Sequence, residues 1–250
     1  MITVVTCYYK LNKSKHTHEE YNKWINNFLI NIGNNIVIFT SQEHFDYIKT
    51  ICEKTIHRNF NYTIRIKELD DFEIVKKYPH IWKEQEALDP NKHCGRGSGC
   101  YILWNSKFDL LKEIIIENPY QSDKFVWNDI GNVRNNNIVP YLSSYPQYNK
   151  ISDNKMDIVL LRPFADENQM YFQNEVHFSG SIFGGGEHVL IELHKLYYLY
   201  LEMYLRANKF IGCDQQIIST LYLRNKSLFN CVSANGEVDP WFHMYSHYSN

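Results

Sequence analysis

The segment from residue 125 to residue 134 has the spacing most suggestive of chemistry. Its first three residues are apolar and predict a buried strand, and Asn128 and Asp129 follow where that strand should end. In open α/β sheets ligands bind at the carboxyl ends of strands, so a carboxylate there could hold a divalent cation together with substrate phosphates. Arg134 could neutralise phosphate charge nearby. An ordinary strand-end turn capped by an acid has the same pattern, and both interpretations stay open.

A second segment, residues 177–187, carries Gly184, Gly185 and Gly186 directly before a predicted helix. A glycine turn at a helix N-terminus exposes backbone N–H groups that favour anions and hydroxyl-rich ligands. An ordinary turn, with Glu187 placed in the first helical turn by the helix dipole, explains the same residues and is favoured when the segment is taken alone.

A third segment opens a predicted helix at Asp214. Asp is a good N-cap residue, and capping alone would explain its position. A functional Asp214 would instead hydrogen-bond sugar hydroxyls or act as a base toward an acceptor.

Several familiar motifs are missing from the sequence. Residues 95–99 are glycine-rich but lack the Gly-Lys-Ser/Thr ending of a phosphate-binding P-loop. Neither an H-E-x-x-H zinc motif nor a G-x-S-x-G nucleophile elbow occurs. His243 and His247 could share one helical face near the C-terminus, where packing roles are favoured and a late metal ligand is the alternative.

Composition narrows the class of protein. The chain has 250 residues and a net charge of -2, without the basic footprint of a nucleic-acid-binding protein. It lacks the apolar run of a membrane span and the basic, apolar start of a signal peptide, so we expect a cytoplasmic location. The six cysteines form no C-x-x-C pair, which favours free thiols.

Hydrophobic periodicity supplies the elements that must position these residues. The first 70 residues alternate between strand and helix, which indicates a mostly parallel central sheet flanked by helices. No linker interrupts the pattern, so we expect one α/β domain over residues 1–250. The predicted strands cover residues 2–8, 36–40, 62–66, 125–130, 157–161 and 177–183, and the predicted helices cover 21–32, 45–51, 71–88 with a break at Pro79, 101–117, 187–206 and 214–223.

These segments, taken together, resemble the HtrL/YibB-like family, which looks like a branch of the GT-A-type glycosyltransferases. The resemblance covers about residues 2–230 and is specific as a set, although each piece alone is weak. The pieces are residues 4–9 (VVTCYY), 104–107 (WNSK) and 118–120 (NPY), the pattern W-x-D-x-G-x-x-R at Trp127, Asp129, Gly131 and Arg134, residues 183–185 (FGG) and 214–215 (DQ).

The resemblance implies a GT-A-like (Rossmann-like) sheet and a role for each matched position. The donor nucleotide would contact Thr6, Tyr8 and Tyr9. Lys107 would face the donor phosphates or sugar, and Asn128 could contact the ribose or a water. The donor sugar would lie beside Gly184 and Gly185, and Asp214 would contact the sugar or the acceptor.

Asp129 would correspond to the metal-binding acid of the GT-A Asp-x-Asp motif. The chain departs from that motif because position 127 is Trp, which leaves a single acid. Mn²⁺ or Mg²⁺ is the expected cofactor, with Asp129 and His243 as candidate ligands.

The resulting functional hypothesis is transfer of a sugar from a nucleoside-diphosphate donor, with a UDP-sugar favoured, to a glycan, lipid-linked or protein acceptor. Asp214 and Asp129 are the candidate catalytic residues, and Arg134 and Lys107 would neutralise phosphate. A non-catalytic sugar- or nucleotide-binding protein on the same fold is the second hypothesis. Nucleotidyl transfer is disfavoured because residues 8–11 contain no glycine for a triphosphate loop.

Overall fold

The computed structural model describes residues 1–12, 16–55, 60–234 and 239–249 of the chain. These residues build a seven-stranded sheet in the order β3-β2-β1-β4-β6-β5-β7. Six strands run in one direction, and β6 is antiparallel to both of its neighbours. The strands are β1 (Ile2–Tyr8), β2 (Asn35–Thr40), β3 (Tyr62–Ile66), β4 (Lys124–Asn128), β5 (Met156–Leu160), β6 (Phe178–Gly186) and β7 (Phe229–Ser233).

Helices cover both faces of this sheet. The longest, α8, follows β6 directly and packs on α6 and α9. The α-helices of the described residues are α1 (His18–Asn31), α2 (Phe45–Cys52), α3 (Glu73–Lys77), α4 (Ile81–Leu88), α5 (Ser98–Asn105), α6 (Lys107–Glu117), α7 (Val139–Leu142), α8 (Glu187–Arg206), α9 (Asp214–Arg224) and α10 (Met244–His247). Within the described ranges, no helix is both long and apolar enough to cross a bilayer.

The strands are apolar on both faces because helices lie on both sides of the sheet. Side chains alternate along each strand, so Val5 and Val37 enter one core cluster while Val4 and Ile36 enter the other. Strands that are covered on both faces have continuous runs of apolar residues, and these runs made the strands recognisable in the sequence.

The order of the strands creates a crevice between β1 and β4. The chain leaves β1 toward one edge to form β2 and β3, and then returns to place β4 on the other side of β1. The connections after β1 and β4 therefore diverge, and ligands bind at such a switch point in α/β proteins.

The expectation of a mostly parallel sheet flanked by helices is confirmed. The ends of the predicted strands lie within two residues of the observed ones, except that β6 extends three residues further than predicted, to Gly186. The predicted helix over residues 101–117 is two helices, α5 and α6, which meet at Ser106; its hydroxyl donates 2.7 Å to the Ile102 carbonyl. Strand β7 was not predicted.

The predicted turn at Gly184, Gly185 and Gly186 is wrong, because these glycines are the last three residues of β6. They lie opposite Val126, Phe125 and Lys124 of β4 and are buried. A Cβ on Gly186 would lie 2.1 Å from the Asp153 carbonyl oxygen. The glycines thus permit close approach of neighbouring backbone, a role that strand glycines commonly have.

Candidate functional site

A cleft of about 740 Å³ opens at the carboxyl ends of β1 and β4. This volume lies within the range of small-molecule sites. The residues around its floor come from five elements: the end of β1, the turn after β4, the start of β6, the start of α9, and the junction of α5 and α6. Because β6 is antiparallel, its first residues reach the same end of the sheet as the last residues of β4.

Lys107 occupies the centre of the floor. It is the first residue of α6, and its side chain is only 4% exposed. Its ammonium nitrogen Nζ lies 2.7 Å from the Gly180 carbonyl, 3.2 Å from Asp129 Oδ1 and 2.9 Å from Asp214 Oδ2. The Gly180 carbonyl accepts a hydrogen bond from this ammonium, Asp129 Oδ2 accepts a longer one at 3.4 Å, and the contacts with Asp129 Oδ1 and Asp214 Oδ2 are ion pairs.

Asp129 is held in place from two sides. The Trp127 indole N–H donates to Asp129 Oδ1 at 2.7 Å, and the Asp129 backbone N–H donates to the Ser181 carbonyl at 2.8 Å. Residues two apart on a strand share a face, so Trp127 on β4 points to the same side as Asp129 just beyond it. The Asp129 side chain keeps 32% of its surface exposed and borders the cleft.

Asp214 is the first residue of α9, and the capping prediction is wrong because Cys213 is the N-cap. Its Oδ1 accepts the Gln215 backbone N–H at 2.9 Å. Its Oδ2 pairs with Lys107 at 2.9 Å in a geometry that is not a hydrogen bond, and no other donor among the described residues reaches that oxygen. A buried carboxylate oxygen without a hydrogen-bond donor, paired with the charge of Lys107, therefore lies beneath the cleft.

Electrostatics couple the three side chains of the floor. Burial disfavours the charged form of Lys107, but the carboxylates of Asp129 and Asp214 outweigh it, and the pKa of Lys107 is raised. Burial raises the pKa of Asp214, and the Lys107 ammonium opposes that rise without cancelling it. With both acids ionised, the floor carries one net negative charge.

Three cations of the described residues border the cleft above this floor, where exposed Asp239 is an opposing acid. The Arg134 guanidinium carbon lies 4.7 Å from the Trp24 ring centroid and 5.5 Å from that of Phe242, which fixes the side chain beside the opening. Arg96 stacks over Trp104 at 5.5 Å, and Lys10 is exposed at the end of β1. The cleft thus has a cationic rim and an acidic floor.

Six of the predicted site residues meet at the cleft. Tyr8 and Tyr9 line it at the end of β1, where the Tyr9 hydroxyl donates to the Lys67 carbonyl at 2.6 Å and the Tyr8 ring packs edge-on against His44. The six residues are Tyr8, Tyr9, Lys107, Asp129, Arg134 and Asp214.

The other five predicted residues do not line the cleft. Gly184 and Gly185 lie toward the opposite end of β6, in the interior of the sheet. Thr6 is fully buried within β1. Asn128 is also buried, because its amide donates to the Asp129 carbonyl at 2.9 Å and accepts the Tyr145 hydroxyl at 3.0 Å, so it shapes the turn from below.

His243, the fifth, is buried beside Phe242, and Phe242 rather than His243 reaches the cleft. Among the described residues, one group of three side chains could together hold a metal ion: Glu73, Asp109 and His194, which contains neither Asp129 nor His243. Asp109 already pairs with His194 at 2.9 Å and accepts the Tyr198 hydroxyl at 2.7 Å, so it serves as a bridge between α6 and α8.

Sequence reasoning missed several residues of the floor. Trp127 was noted as part of the family pattern and as a departure from an Asp-x-Asp motif, without a role of its own, yet it orients Asp129. Gly180 supplies the carbonyl for Lys107 and leaves room for Asp214, since a Cβ there would lie 3.0 Å from Asp214 Oδ2. The two-residue period of β4 could have revealed Trp127, whereas Gly180 depends on the reversed direction of β6, which has no local signal.

Comparison with known proteins identifies the family and leaves the activity open. None of the curated proteins compared with the chain matches it. A family model described as a bacterial protein of unknown function, HtrL_YibB, matches residues 1–250. The chain therefore belongs to the HtrL/YibB family.

Proposed function

We propose that this protein is a glycosyltransferase that moves a sugar from a nucleoside-diphosphate sugar, with UDP as the favoured nucleotide, to a hydroxyl group of an acceptor. The observation that carries the proposal is the Lys107–Asp129–Asp214 cluster, which lies under a cationic rim at the switch point of the sheet. The proposal includes a cytoplasmic location and a glycan, a lipid-linked sugar or a protein as acceptor.

The cationic rim supports a diphosphate ligand. Departure of a nucleoside diphosphate leaves negative charge on its phosphates, and fixed cations stabilise that charge as it develops. Arg134 is suited to this role because its stacking on Trp24 holds the guanidinium beside the opening. A planar guanidinium can also donate two parallel hydrogen bonds to a phosphate.

The acidic floor supports a sugar or an acceptor hydroxyl beside Asp214. Its Oδ2 has a lone pair to accept a hydroxyl proton, and burial raises the pKa of the carboxyl. A carboxylate with a raised pKa is a stronger base than an ordinary Asp. Asp214 would take the proton from the attacking acceptor hydroxyl, while Lys107 holds the carboxylate in position.

Among the described residues, the Asp129 carboxylate could contribute one ligand to a divalent cation. Asp129 Oδ1 accepts from Trp127, but Asp129 Oδ2 has only a 3.4 Å contact with Lys107, and the side chain faces the cleft. A single carboxylate suffices for Mg²⁺ or Mn²⁺ when substrate phosphates supply further ligands. Such a cation would neutralise charge on the departing diphosphate.

A donor screen followed by a turnover assay tests the proposal. Thermal unfolding would be measured with UDP, GDP, ADP and their sugars, each with and without Mn²⁺, since a ligand of the folded state raises the unfolding temperature. The expected result is a shift with one nucleotide, and release of that nucleotide from its sugar by wild type but not by Asp214→Asn. No shift with any nucleotide, or equal release by the variant, contradicts the proposal.

A non-catalytic nucleotide-sugar-binding protein is the alternative. It is favoured by the ion pairs of Lys107 with both carboxylates and by Trp127 at a position where the Asp-x-Asp motif has an acid. That alternative predicts the same thermal shift with no nucleotide release for any acceptor.

A further inference from the structure

We infer that Lys107 is the resident cation of the cleft, so that a divalent cation has no site of its own there and enters only with the diphosphate of the donor. The part of this inference that concerns the diphosphate rests on the proposed function. The part that concerns Lys107 rests on the geometry of the floor alone.

The Lys107 ammonium occupies the position that a divalent ion would need. Two carboxylates and one backbone carbonyl converge on its nitrogen, with the three distances between 2.7 and 3.2 Å. Carboxylate and carbonyl oxygens are also the preferred ligands of hard divalent cations. The floor therefore has the donor set of a metal site, with a lysine at its centre.

Displacing Lys107 would be costly for a free metal ion. The side chain is 4% exposed, and moving its ammonium away would break its contacts with the Gly180 carbonyl and with both carboxylates. A buried charge that loses its partners is strongly destabilising. A free ion that leaves Lys107 in place meets Asp129 and, beneath it, Asp214 Oδ2, beside an ammonium that repels it.

A bound diphosphate makes binding of a divalent ion more favourable. It brings its own negative charges and oxygen ligands, so the ion needs only the cleft-facing oxygen of Asp129 from the protein. The cationic rim would hold the remaining phosphate charge. We therefore expect the metal and the nucleotide to bind as one unit.

The first experiment uses the unmodified protein. Equilibrium dialysis would measure protein-bound Mn²⁺ with and without UDP, at matched free Mn²⁺. The expected result is one additional bound Mn²⁺ per chain that depends on UDP. Saturable binding of the same strength without UDP would overturn the inference.

The second experiment removes the lysine. Lys107→Met leaves Asp129 and Asp214 unneutralised, so this variant should bind Mn²⁺ without any nucleotide, about tenfold or more tightly than wild type, because carboxylate charge sets affinity. Lys124→Met is the matched control, since Lys124 is equally buried at the far end of β4. It should gain nothing, and any binding at Glu73, Asp109 and His194 would be common to all variants.

A double variant tests whether the Mn²⁺ binding gained in Lys107→Met occurs at the floor of the cleft. Lys107→Met combined with Asp214→Asn should lose the new Mn²⁺ binding. Where Lys107→Met is only marginally folded, its unfolding temperature with and without Mn²⁺ gives the same answer, because an ion bound to the folded state stabilises it. No gain and no Mn²⁺-dependent stabilisation in Lys107→Met would overturn the inference. A gain in this variant without UDP binding by any form of the protein would instead count against the glycosyltransferase proposal.

Discussion

The two ends of the central sheet each contain a buried lysine beside carboxylates, and they differ in what these groups leave unsatisfied. The side chains of Lys107, at the cleft end, and Lys124, at the far end, are both 4% exposed. Lys124 donates to the Ile151 and Tyr148 carbonyls at 2.6 and 3.0 Å and pairs with Asp153 at 2.9 Å. It ties the start of β4 to the segment before β5.

The carboxylates differ more sharply than the lysines. Asp157 at the far end is fully buried and accepts the Ser152 backbone N–H at 2.8 Å, the Asn230 amide at 2.8 Å and the Tyr248 hydroxyl at 3.1 Å. Asp214 at the cleft end is nearly as deeply buried, at 4% exposure, but its Oδ2 has no hydrogen-bond donor among the described residues. Buried groups and ion pairs are thus common to both ends. Of these two carboxylates, only Asp214, beside the cleft, has an oxygen without a hydrogen-bond donor among the described residues.

The largest expected effect comes from exchanging these two carboxylates for amides. Asp214→Asn removes the base, so release of nucleotide from the donor sugar should fall about 10²- to 10⁴-fold while the protein stays folded. Asp157→Asn should leave turnover per folded molecule unchanged. It should lower the free energy of unfolding by about 1–3 kcal/mol, because a carboxylate that satisfies four donors, the Ser152 hydroxyl included, loses acceptor capacity.

Nucleotide release and urea denaturation would be measured for both variants. Equal loss of turnover in the two, or a stable Asp157→Asn, would remove the distinction between the ends of the sheet. Asp129→Asn provides a further check, since it should abolish Mn²⁺-dependent stimulation without unfolding the chain.

Gly184 and Gly180, both in β6, allow a second comparison between the two ends of the sheet. A Cβ on Gly184 would lie 2.8 Å from Val126 Cγ2 and 2.9 Å from the Phe125 carbonyl oxygen. Gly184→Ala should therefore cost about 1–3 kcal/mol of stability through overpacking, with donor affinity unchanged. Gly180→Ala should instead displace Asp214 by a few tenths of an ångström and lower turnover about tenfold, because catalysis depends on such positioning.

Urea midpoints and turnover rates separate these outcomes. If Gly180→Ala is the more destabilised protein and keeps its turnover, then Gly180 does not position Asp214 for turnover in the way that we expect.

The two ends also differ in how far the sequence could predict them. Asp129 was located because a strand-end acid follows an apolar run, and the parallel strands before it have a continuous apolar signal. The glycines at residues 184–186 were misassigned to a turn, since local sequence cannot report that the carbonyls of Phe125, Lys155 and Asp153 approach their backbone at close range. Asp214 was located, but its pairing with Lys107 spans 107 positions of the chain and depends on how α6 and α9 pack.

Arg134 should show an intermediate effect at the cleft end. Arg134→Gln removes a rim cation while keeping a polar side chain, and we expect nucleoside diphosphate binding to weaken about tenfold, with a smaller difference at high salt. Arg206→Gln is the matched control, because that side chain is 84% exposed at the end of α8 and outside the cleft. Calorimetric titration with UDP at two ionic strengths measures both. Equal affinities for the two variants would place the diphosphate away from Arg134.

The smallest expected effect is a pH dependence that belongs to Asp214. Burial raises its pKa above the ordinary value of 3.8, against the influence of Lys107 and together with that of Asp129. A carboxyl that holds its proton more tightly when folded stabilises the fold below its unfolded-state pKa, and this contribution is lost as pH rises through the folded-state pKa. Turnover needs the carboxylate form, so its acidic limb should lie above 3.8.

Subtracting Asp214→Asn isolates this contribution from the other carboxyls, such as Asp71 and Glu202, whose pKa values are lowered by lysine partners and which act in the opposite direction. The stability of wild type minus that of the variant should therefore decline as pH rises from about 4 toward neutrality. Urea denaturation across this range measures the difference. A difference that instead grows with pH would mean that the ion pair with Lys107 outweighs burial, and Asp214 would then be a structural partner of the lysine, as Asp153 is of Lys124.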